Sequence, residues 1–392
     1  MTSELVFHLG DPKTGSTSIQ AALRNKTWDA KGMPVLGYPA RLHNSGLAAL
    51  LGGADPVRDS AKGFRMLAKR IEAMAADTKI AVISSEHFSN LPPGNLKQAI
   101  DAHLPQFANS ARFVMYLRPH ADRILSSYAE RIKIGAYAGS LPEFVDLVIK
   151  EKRYFYLPRV LRWQQVFGDR LVVRPMIRSA LHQNCVVRDF LSIVLRSQQV
   201  RMLEEPLVNE SLTVRDLSLL MLQHQEITSG LISHASRHAI GRNLGILFAS
   251  RGGTDGVRPA YDRALYEKVV AAHRQDAAGL DSTIFEGRPM TTALEAAGAK
   301  VAETVASLRP EDNFTPAELR DYRAFARLIA RMAEIDTVGW PKFFTGARLE
   351  DEEGDNAQNA GPNPVHLKPE HPKQQQRRKA RLQAELRASG KG

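Results

Sequence analysis

A glycine- and hydroxyl-rich segment near the start of the chain has the residue types that bind a multiply charged anion. It begins at Gly10 and contains Lys13, Thr14, Gly15, Ser16, Thr17 and Ser18. The apolar run 5–9 before it predicts a buried strand, and residues 19–23 after it have helical spacing. Backbone N–H groups at a helix N-terminus, the helix dipole and the Lys13 ammonium would converge there on one anion.

The helix start can be predicted from capping residues. Thr17 and Gln20 have the spacing of a capping box, which predicts that the helix begins at Thr17.

Gly10 and Gly15 have the spacing of a nucleoside-triphosphate loop, but Ser16 and Thr17 stand where that loop carries Lys and then Ser or Thr. The lysine lies inside the loop instead. Alone, the segment is also compatible with an ordinary turn before a helix.

A second segment with phosphate-binding residue types follows another predicted strand, residues 111–117. Arg118 and Pro119 end that strand, and a predicted helix over 122–132 carries Ser126 and Tyr128. A guanidinium can hold a phosphate through two N–H groups, and a serine in the next helix can add a hydroxyl donor. Taken alone, Arg118 could equally be a surface ion-pair residue and Ser126 a neutral helix position.

A third predicted strand, residues 79–85, ends in polar residues and is followed by Glu86 and His87. Strands alternating with helices predict parallel βαβ units, whose functional residues lie at the carboxyl ends of the strands. Lys13, Glu86 and Arg118 should therefore share one edge of the sheet. Glu86 and His87 are titratable residues at this edge, and taken alone Glu86 could equally be a helix-capping or ion-paired carboxylate.

The first two segments together resemble the cofactor motifs of sulfotransferases that use 3′-phosphoadenosine 5′-phosphosulfate (PAPS). Residues 12–17 resemble the 5′-phosphosulfate loop, and Arg118 with Ser126 resembles the 3′-phosphate segment. The likeness covers about residues 5–195 and is closest to the bacterial, carbohydrate-type branch. It implies a P-loop-like α/β fold, with a parallel sheet flanked by helices, and transfer of a sulfuryl group from PAPS to a hydroxyl or amine of a carbohydrate or glycolipid.

The resemblance also implies roles for individual residues. Lys13 would neutralise charge on the leaving oxygen. Glu86 matches a glutamate that heparan-type sulfotransferases carry after the corresponding strand, so it is the candidate general base that takes the acceptor proton, and His87 is the reserve. The implied cofactor contacts are Lys13, Thr14, Gly15, Ser16, Thr17, Ser18, Arg118 and Ser126. His8, Asp11 and His43 are further titratable residues, of which His8 is predicted to be a packed core residue.

The remaining sequence predicts three regions. Residues 1–200 are expected to form the α/β core, residues 201–346 a mostly helical cover that contains the acceptor-binding region, and residues 347–392 a charged, disordered tail. Within the cover, residues 237–258 are rich in Gly and Arg, which predicts a surface loop or a loop that closes over the nucleotide. The basic tail would allow peripheral contact with a membrane surface.

Composition narrows the function classes. The 392 residues carry a net charge of +11, which suits an anionic cofactor, polysaccharide, membrane surface or nucleic acid, although nucleic acid is not the expected partner. One cysteine excludes an intrachain disulfide, and no apolar run is long enough to span a membrane, so a cytoplasmic location is expected.

The histidine pair His234 and His238 lacks a metal motif, so no metal is expected. A P-loop kinase and a non-catalytic binding module remain as alternatives.

Overall fold

The protein is represented by a computed structural model that describes residues 2, 4–29, 32–40, 44–74, 76–204, 211–228, 230–250 and 256–340. Its strands are β1 (Glu4–Leu9), β2 (Trp28–Asp29), β3 (Leu36–Gly37), β4 (Ile80–Ser85), β5 (Arg112–Leu117), β6 (Leu171–Pro175) and β7 (Arg201–Met202). Five of them form one parallel sheet in the order β3-β4-β1-β5-β6, while β2 and β7 pair antiparallel.

Helices account for most of the remaining described chain. They are α1 (Ser16–Asn25), α2 (Ser45–Leu51), α3 (Pro56–Met74), α4 (Pro93–His103), α5 (His120–Lys133), α6 (Leu141–Lys150), α7 (Leu157–Phe167), α8 (Val186–Leu195), α9 (Val214–Glu226), α10 (His234–Ser250), α11 (Arg263–Thr283), α12 (Pro289–Ala296), α13 (Pro310–Asn313) and α14 (Pro316–Ile335). The predicted fold class, a parallel sheet flanked by helices with a mostly helical C-terminal half, is confirmed.

The sheet is covered on both faces because its central strands are apolar on both sides. In β1, Leu5, Phe7 and Leu9 belong to one apolar core, which includes side chains of α3, α4, α5 and α7. Val6 belongs to a second core, built with Ile19 of α1 and Phe190 of α8. Leu217 of α9 and Val269 of α11 are members of the first core. The architecture is therefore three layers, with the sheet in the middle.

The order of strands determines which loops meet. β1 lies between β4 and β5, and Leu9 is in register with Ser85 of β4 while His8 is in register with Val114 of β5. Because the three strands are parallel, their carboxyl ends lie at one edge of the sheet. The loop after β1, Glu86 after β4 and Arg118 after β5 all follow at that edge.

The structure corrects the predicted start of the first helix. α1 begins at Ser16, its N-cap is Gly15 in the left-handed region at φ 80°, and no side chain caps it. The capping box of Thr17 and Gln20 is wrong, since Gln20 instead donates from Nε2 to Ser84 Oγ at 3.0 Å. A glycine N-cap turns the chain directly into the helix, so a hydroxyl cap two residues later is not needed.

A second correction concerns the Gly- and Arg-rich segment 237–258. Residues up to Ser250 belong to helix α10, so the loop predicted over this segment is wrong for residues 237–250. A Cβ at Gly241 would lie 1.9 Å from the Lys133 carbonyl oxygen, and one at Gly245 would lie 2.7 Å from Lys133 Cδ. These glycines permit close helix packing against α5 rather than flexibility.

Two further predictions fall on parts of the chain that are not described. Residues 251–255, the middle of that segment, and the whole predicted tail 347–392 lie outside the described residues. The domain boundaries at residues 200 and 346 stay predictions. Among the described helices, none is both long and apolar enough to cross a membrane.

Candidate functional site

The loop between β1 and α1 is closed by its own side chains. The Thr14 hydroxyl donates to the Asp11 carbonyl oxygen at 2.6 Å and is fully buried. Gly15 has φ 80°, and a Cβ there would lie 2.7 Å from Val186 Cγ1 of α8. Both its conformation and the space available therefore require glycine. The Ile19 N–H then donates to the Gly15 carbonyl at 3.1 Å, which is the first bond of the helix.

This closure leaves a row of backbone donors without acceptors. Within the described residues, the backbone N–H groups of residues 13–18 donate to no protein acceptor. The Ser16 hydroxyl in the same loop is buried and has no partner among these residues. Thr17 is exposed and Ser18 half-buried at the open side of the helix end. Free N–H groups at a helix N-terminus, reinforced by its dipole, form an anion-binding site.

Arg118 connects this loop to helix α5. Its Nη1 donates to the Lys13 carbonyl oxygen at 3.1 Å and to Ser126 Oγ at 3.2 Å. Its own carbonyl accepts a hydrogen bond from the Tyr156 hydroxyl at 3.0 Å. Burial lowers the pKa of the Arg118 guanidinium and nearby Asp122 opposes that fall, but an arginine remains charged at neutral pH. The structure thus brings Arg118, Ser126 and the loop together.

The Lys13 side chain is paired with an acid that the sequence analysis did not identify. Lys13 Nζ lies 3.1 Å from Glu130 Oε2, and Lys133 Nζ lies 2.6 Å from the same oxygen. Burial raises the pKa of Glu130, whereas Lys13 and Lys133 lower it, with a net fall to about 2. The only sequence signal was indirect: Glu130 lies four residues after Ser126, on the same face of α5.

Asp11 anchors the loop through ion pairs. Its buried carboxylate lies 3.5 Å from Arg123 Nε and 3.1 Å from Arg159 Nη1. Arg159 also donates to Asn90 Oδ1 at 2.8 Å, so the loop is tied to α5, to α7 and to the segment after β4. A buried carboxylate held between two guanidinium groups is a structural ion pair.

The histidines considered from the sequence have different surroundings. His8 is fully buried, its Nδ1 is 2.8 Å from Ser84 Oγ, and burial lowers its pKa to about 3, in keeping with a packed core residue. His87 is exposed directly after Glu86. His43 lies outside the described residues. In the described part of the chain, no group of three or more His, Cys, Asp or Glu side chains is placed to hold a metal ion.

Glu86 lies against the loop, and the residue after it lines an open groove. A Cβ at Gly10 would lie 3.1 Å from Glu86 Cα, so the two backbones are in close contact. The Glu86 side chain is half-buried, and no hydrogen bond or ion pair joins it to another described residue. The next residue, His87, lines a groove of about 620 Å³ together with Asn90, the α2 residues Gly46, Ala48 and Ala49, and Gly52 just after α2.

The chain has a distant structural likeness among known proteins. No protein-family model and no curated protein matches this chain. Among solved structures, a sulfotransferase from Alicyclobacillus acidocaldarius matches with a TM-score of 0.42 and 16% sequence identity, over 75% of this chain and 100% of that chain. The loop and the Arg118 segment, and not this distant likeness, support the function proposed below.

Proposed function

We propose that the protein is a PAPS-dependent sulfotransferase that transfers a sulfuryl group to a hydroxyl, or an amine, of a carbohydrate or glycolipid acceptor. One observation supports this most directly: a single guanidinium, Arg118, joins the loop of free N–H donors to Ser126. Two anion-binding positions are thereby held at a fixed separation. A nucleotide with phosphates at both its 3′ and 5′ positions fits two such positions, because its two charged groups need separate sets of hydrogen-bond donors.

The two positions are assigned by the donors that each offers. The backbone N–H groups of residues 13–18 and the Lys13 ammonium would hold the 5′-phosphosulfate, while Arg118 and Ser126 would hold the 3′-phosphate. PAPS supplies the sulfuryl group, and adenosine 3′,5′-bisphosphate is the leaving group. Oriented donors of this kind need little reorganisation during the reaction, and losing one typically slows an enzyme by about 10²–10³-fold.

The transfer itself needs two further groups from the chain. As the acceptor oxygen bonds to sulfur, the bond from sulfur to the phosphate oxygen breaks, and Lys13 would offset the charge that develops on that oxygen. The acceptor hydroxyl must lose its proton, and Glu86 is proposed to take it. Glu86 suits this role because it has no partner among the described residues and lies against the loop at Gly10.

The groove lined by His87, the residue after Glu86, is proposed to receive the acceptor. Asn44 fixes one wall, since its N–H and its Nδ2 donate to the Ser84 carbonyl at 3.2 and 3.0 Å and hold the start of α2 against the end of β4. The small residues of α2 give the groove a wall with few projecting side chains, and His87 and Asn90 supply polar groups. This lining suits the face of a neutral sugar ring. Residues 201–346 are proposed to complete the acceptor side.

Calorimetric titration with adenosine 3′,5′-bisphosphate tests the cofactor assignment. We expect Lys13→Ala and Arg118→Ala to weaken binding by ~2 kcal/mol or more, roughly thirtyfold, because each removes a charged phosphate contact. Lys62→Ala is the matched control, since Lys62 is an exposed cation of α3 that lies outside the site. Absence of binding by the wild type, or a preference for ADP with Mg²⁺, would contradict the proposal and favour a kinase.

A further inference from the structure

Two lysines share one carboxylate oxygen at the edge of the proposed cofactor site. Lys13 belongs to the loop and Lys133 ends α5, and both ammonium groups contact Glu130 Oε2. The side chains are 36% exposed for Lys13, 22% for Lys133 and 30% for Glu130. In this arrangement the single acid neutralises the lysine that the reaction needs. An arriving anion must therefore compete with Glu130 for Lys13.

The two lysines differ in how firmly they are held. The Lys133 carbonyl contacts His224 Nε2 at 2.9 Å and lies against Gly241 of α10. The Lys133 side chain lies against Gly245, where a Cβ would be 2.7 Å from Lys133 Cδ. Lys13 is the most exposed of the three side chains and projects from a loop residue at φ 70°. Lys13 is consequently the partner that can leave, while Lys133 stays with the carboxylate.

Resting on the proposed function, we propose that Glu130 is a positioning residue which holds the Lys13 ammonium in the free protein and releases it to the phosphosulfate when the cofactor binds. Lys133 then remains as the counter-ion of Glu130. No bond is made or broken in this exchange, because one ion pair replaces another. Its cost is the Lys13–Glu130 attraction, which every anion that enters the loop must overcome.

Glu130 is not positioned to serve as the general base of the reaction. It contacts Lys13, which is assigned to the leaving oxygen, whereas the acceptor attacks from the opposite side of the sulfur in an in-line transfer. Two neighbouring ammonium groups also keep its carboxylate ionised and weakly basic. Its influence on the reaction therefore passes through Lys13.

The test is the sign of the change in bisphosphate affinity. We expect Glu130→Gln to bind adenosine 3′,5′-bisphosphate about tenfold more tightly, because a negative charge beside the site is lost and Lys13 is freed. Turnover with PAPS should fall at the same time, since the product leaves more slowly. Lys133→Gln should act in the opposite direction and weaken binding about threefold or more, because Glu130 then relies on Lys13 alone.

Glu72→Gln is the matched control, because it changes the net charge equally at an exposed position of α3. Unchanged or weaker bisphosphate binding by Glu130→Gln, with an unaltered melting temperature, would overturn the inference. If Glu130→Gln does not fold, Lys133→Gln provides the test, and unchanged or tighter binding of the bisphosphate by Lys133→Gln would overturn the inference. A wild type that binds no bisphosphate would instead reject the proposed function itself, so the two failures are distinguishable.

Discussion

Glu86 is the residue on which the proposed chemistry most depends. We expect Glu86→Gln to lower the rate of sulfuryl transfer by about 10²-fold or more while leaving bisphosphate affinity unchanged, because a proton acceptor acts in the transition state and not in cofactor binding. Turnover of PAPS with a panel of neutral glycosides measures the first quantity, and calorimetry the second.

His87→Gln is the comparison variant for Glu86, since His87 is the adjacent residue and the reserve base. Loss of transfer in His87→Gln, with full activity in Glu86→Gln, would move the base to the histidine. If the wild type binds the bisphosphate yet transfers nothing to any glycoside, a binding module would be the better description.

Individual residues of the site were predictable to different degrees. Lys13, Gly15 and Arg118 stand out because strand ends and glycine spacing locate them along the sequence. Glu130 does not, since its importance comes from a contact across 117 residues of chain. Nothing in the local sequence of α5 distinguishes it from an ordinary helix-surface acid. Asp11 was ambiguous for the same reason until its contacts with Arg123 and Arg159 were seen.

Among the elements, α11 supports the start of α5 through one buried carboxylate. Asp276 accepts hydrogen bonds from His120 Nε2 at 2.8 Å and from the N–H groups of Tyr156 and Leu157 at 2.8 and 3.0 Å. His120 lies two residues after Arg118, so α11 and α7 are joined to the phosphate segment. Burial raises the pKa of Asp276, but the bonds from His120 and Tyr156 prevail and lower it.

We expect Asp276→Asn to reduce the free energy of unfolding by about 2–4 kcal/mol at neutral pH, because it leaves buried donors poorly paired. The folded-state pKa of Asp276 is lowered, so its stabilisation is present above the unfolded pKa of about 3.9 and is lost as pH falls below it. Urea denaturation at several pH values should therefore show the two proteins converging in strongly acidic solution.

Asp281 provides the control for this prediction, because it lies on the same helix and also accepts two backbone N–H groups, those of Met290 and Thr291. Asp281→Asn should destabilise the protein without affecting bisphosphate affinity, whereas Asp276→Asn should weaken that affinity as well. Equal affinities in the two variants would show that α11 does not position the phosphate segment.

The sequence predicted elements well where one physical signal dominated. Strands β1, β4 and β5 are continuous apolar runs that end in polar or Gly-Pro residues, as buried parallel strands do. The loop predicted over the residues of α10 was wrong because glycine occurs in two settings. It favours turns, but within a helix it also permits close packing against a neighbour. Only the approach of Lys133 to Gly241 decides between them.

At the scale of the whole molecule, every proposed cofactor contact lies between Lys13 and Ser126. We expect a chain ending at residue 345, the limit of the first compact unit, to bind adenosine 3′,5′-bisphosphate as tightly as the full chain. Calorimetry on both proteins at low and high salt makes the comparison. Weaker binding by the shorter chain, restricted to low salt, would show that the basic tail contributes long-range attraction.

The bond from Arg118 to the Lys13 carbonyl has a consequence for the choice of nucleotide. One guanidinium contacts the backbone of the loop and is also the proposed holder of the 3′-phosphate, so occupation of the 3′ position would stiffen the loop that is proposed to receive the 5′ group. Recognition would then be cooperative along the nucleotide. ADP and ATP lack the 3′-phosphate, so they would lose the contact with Arg118 and would also meet a less ordered loop. The difference in binding free energy between the bisphosphate and these abundant nucleotides would therefore be larger than the loss of the Arg118 contact alone.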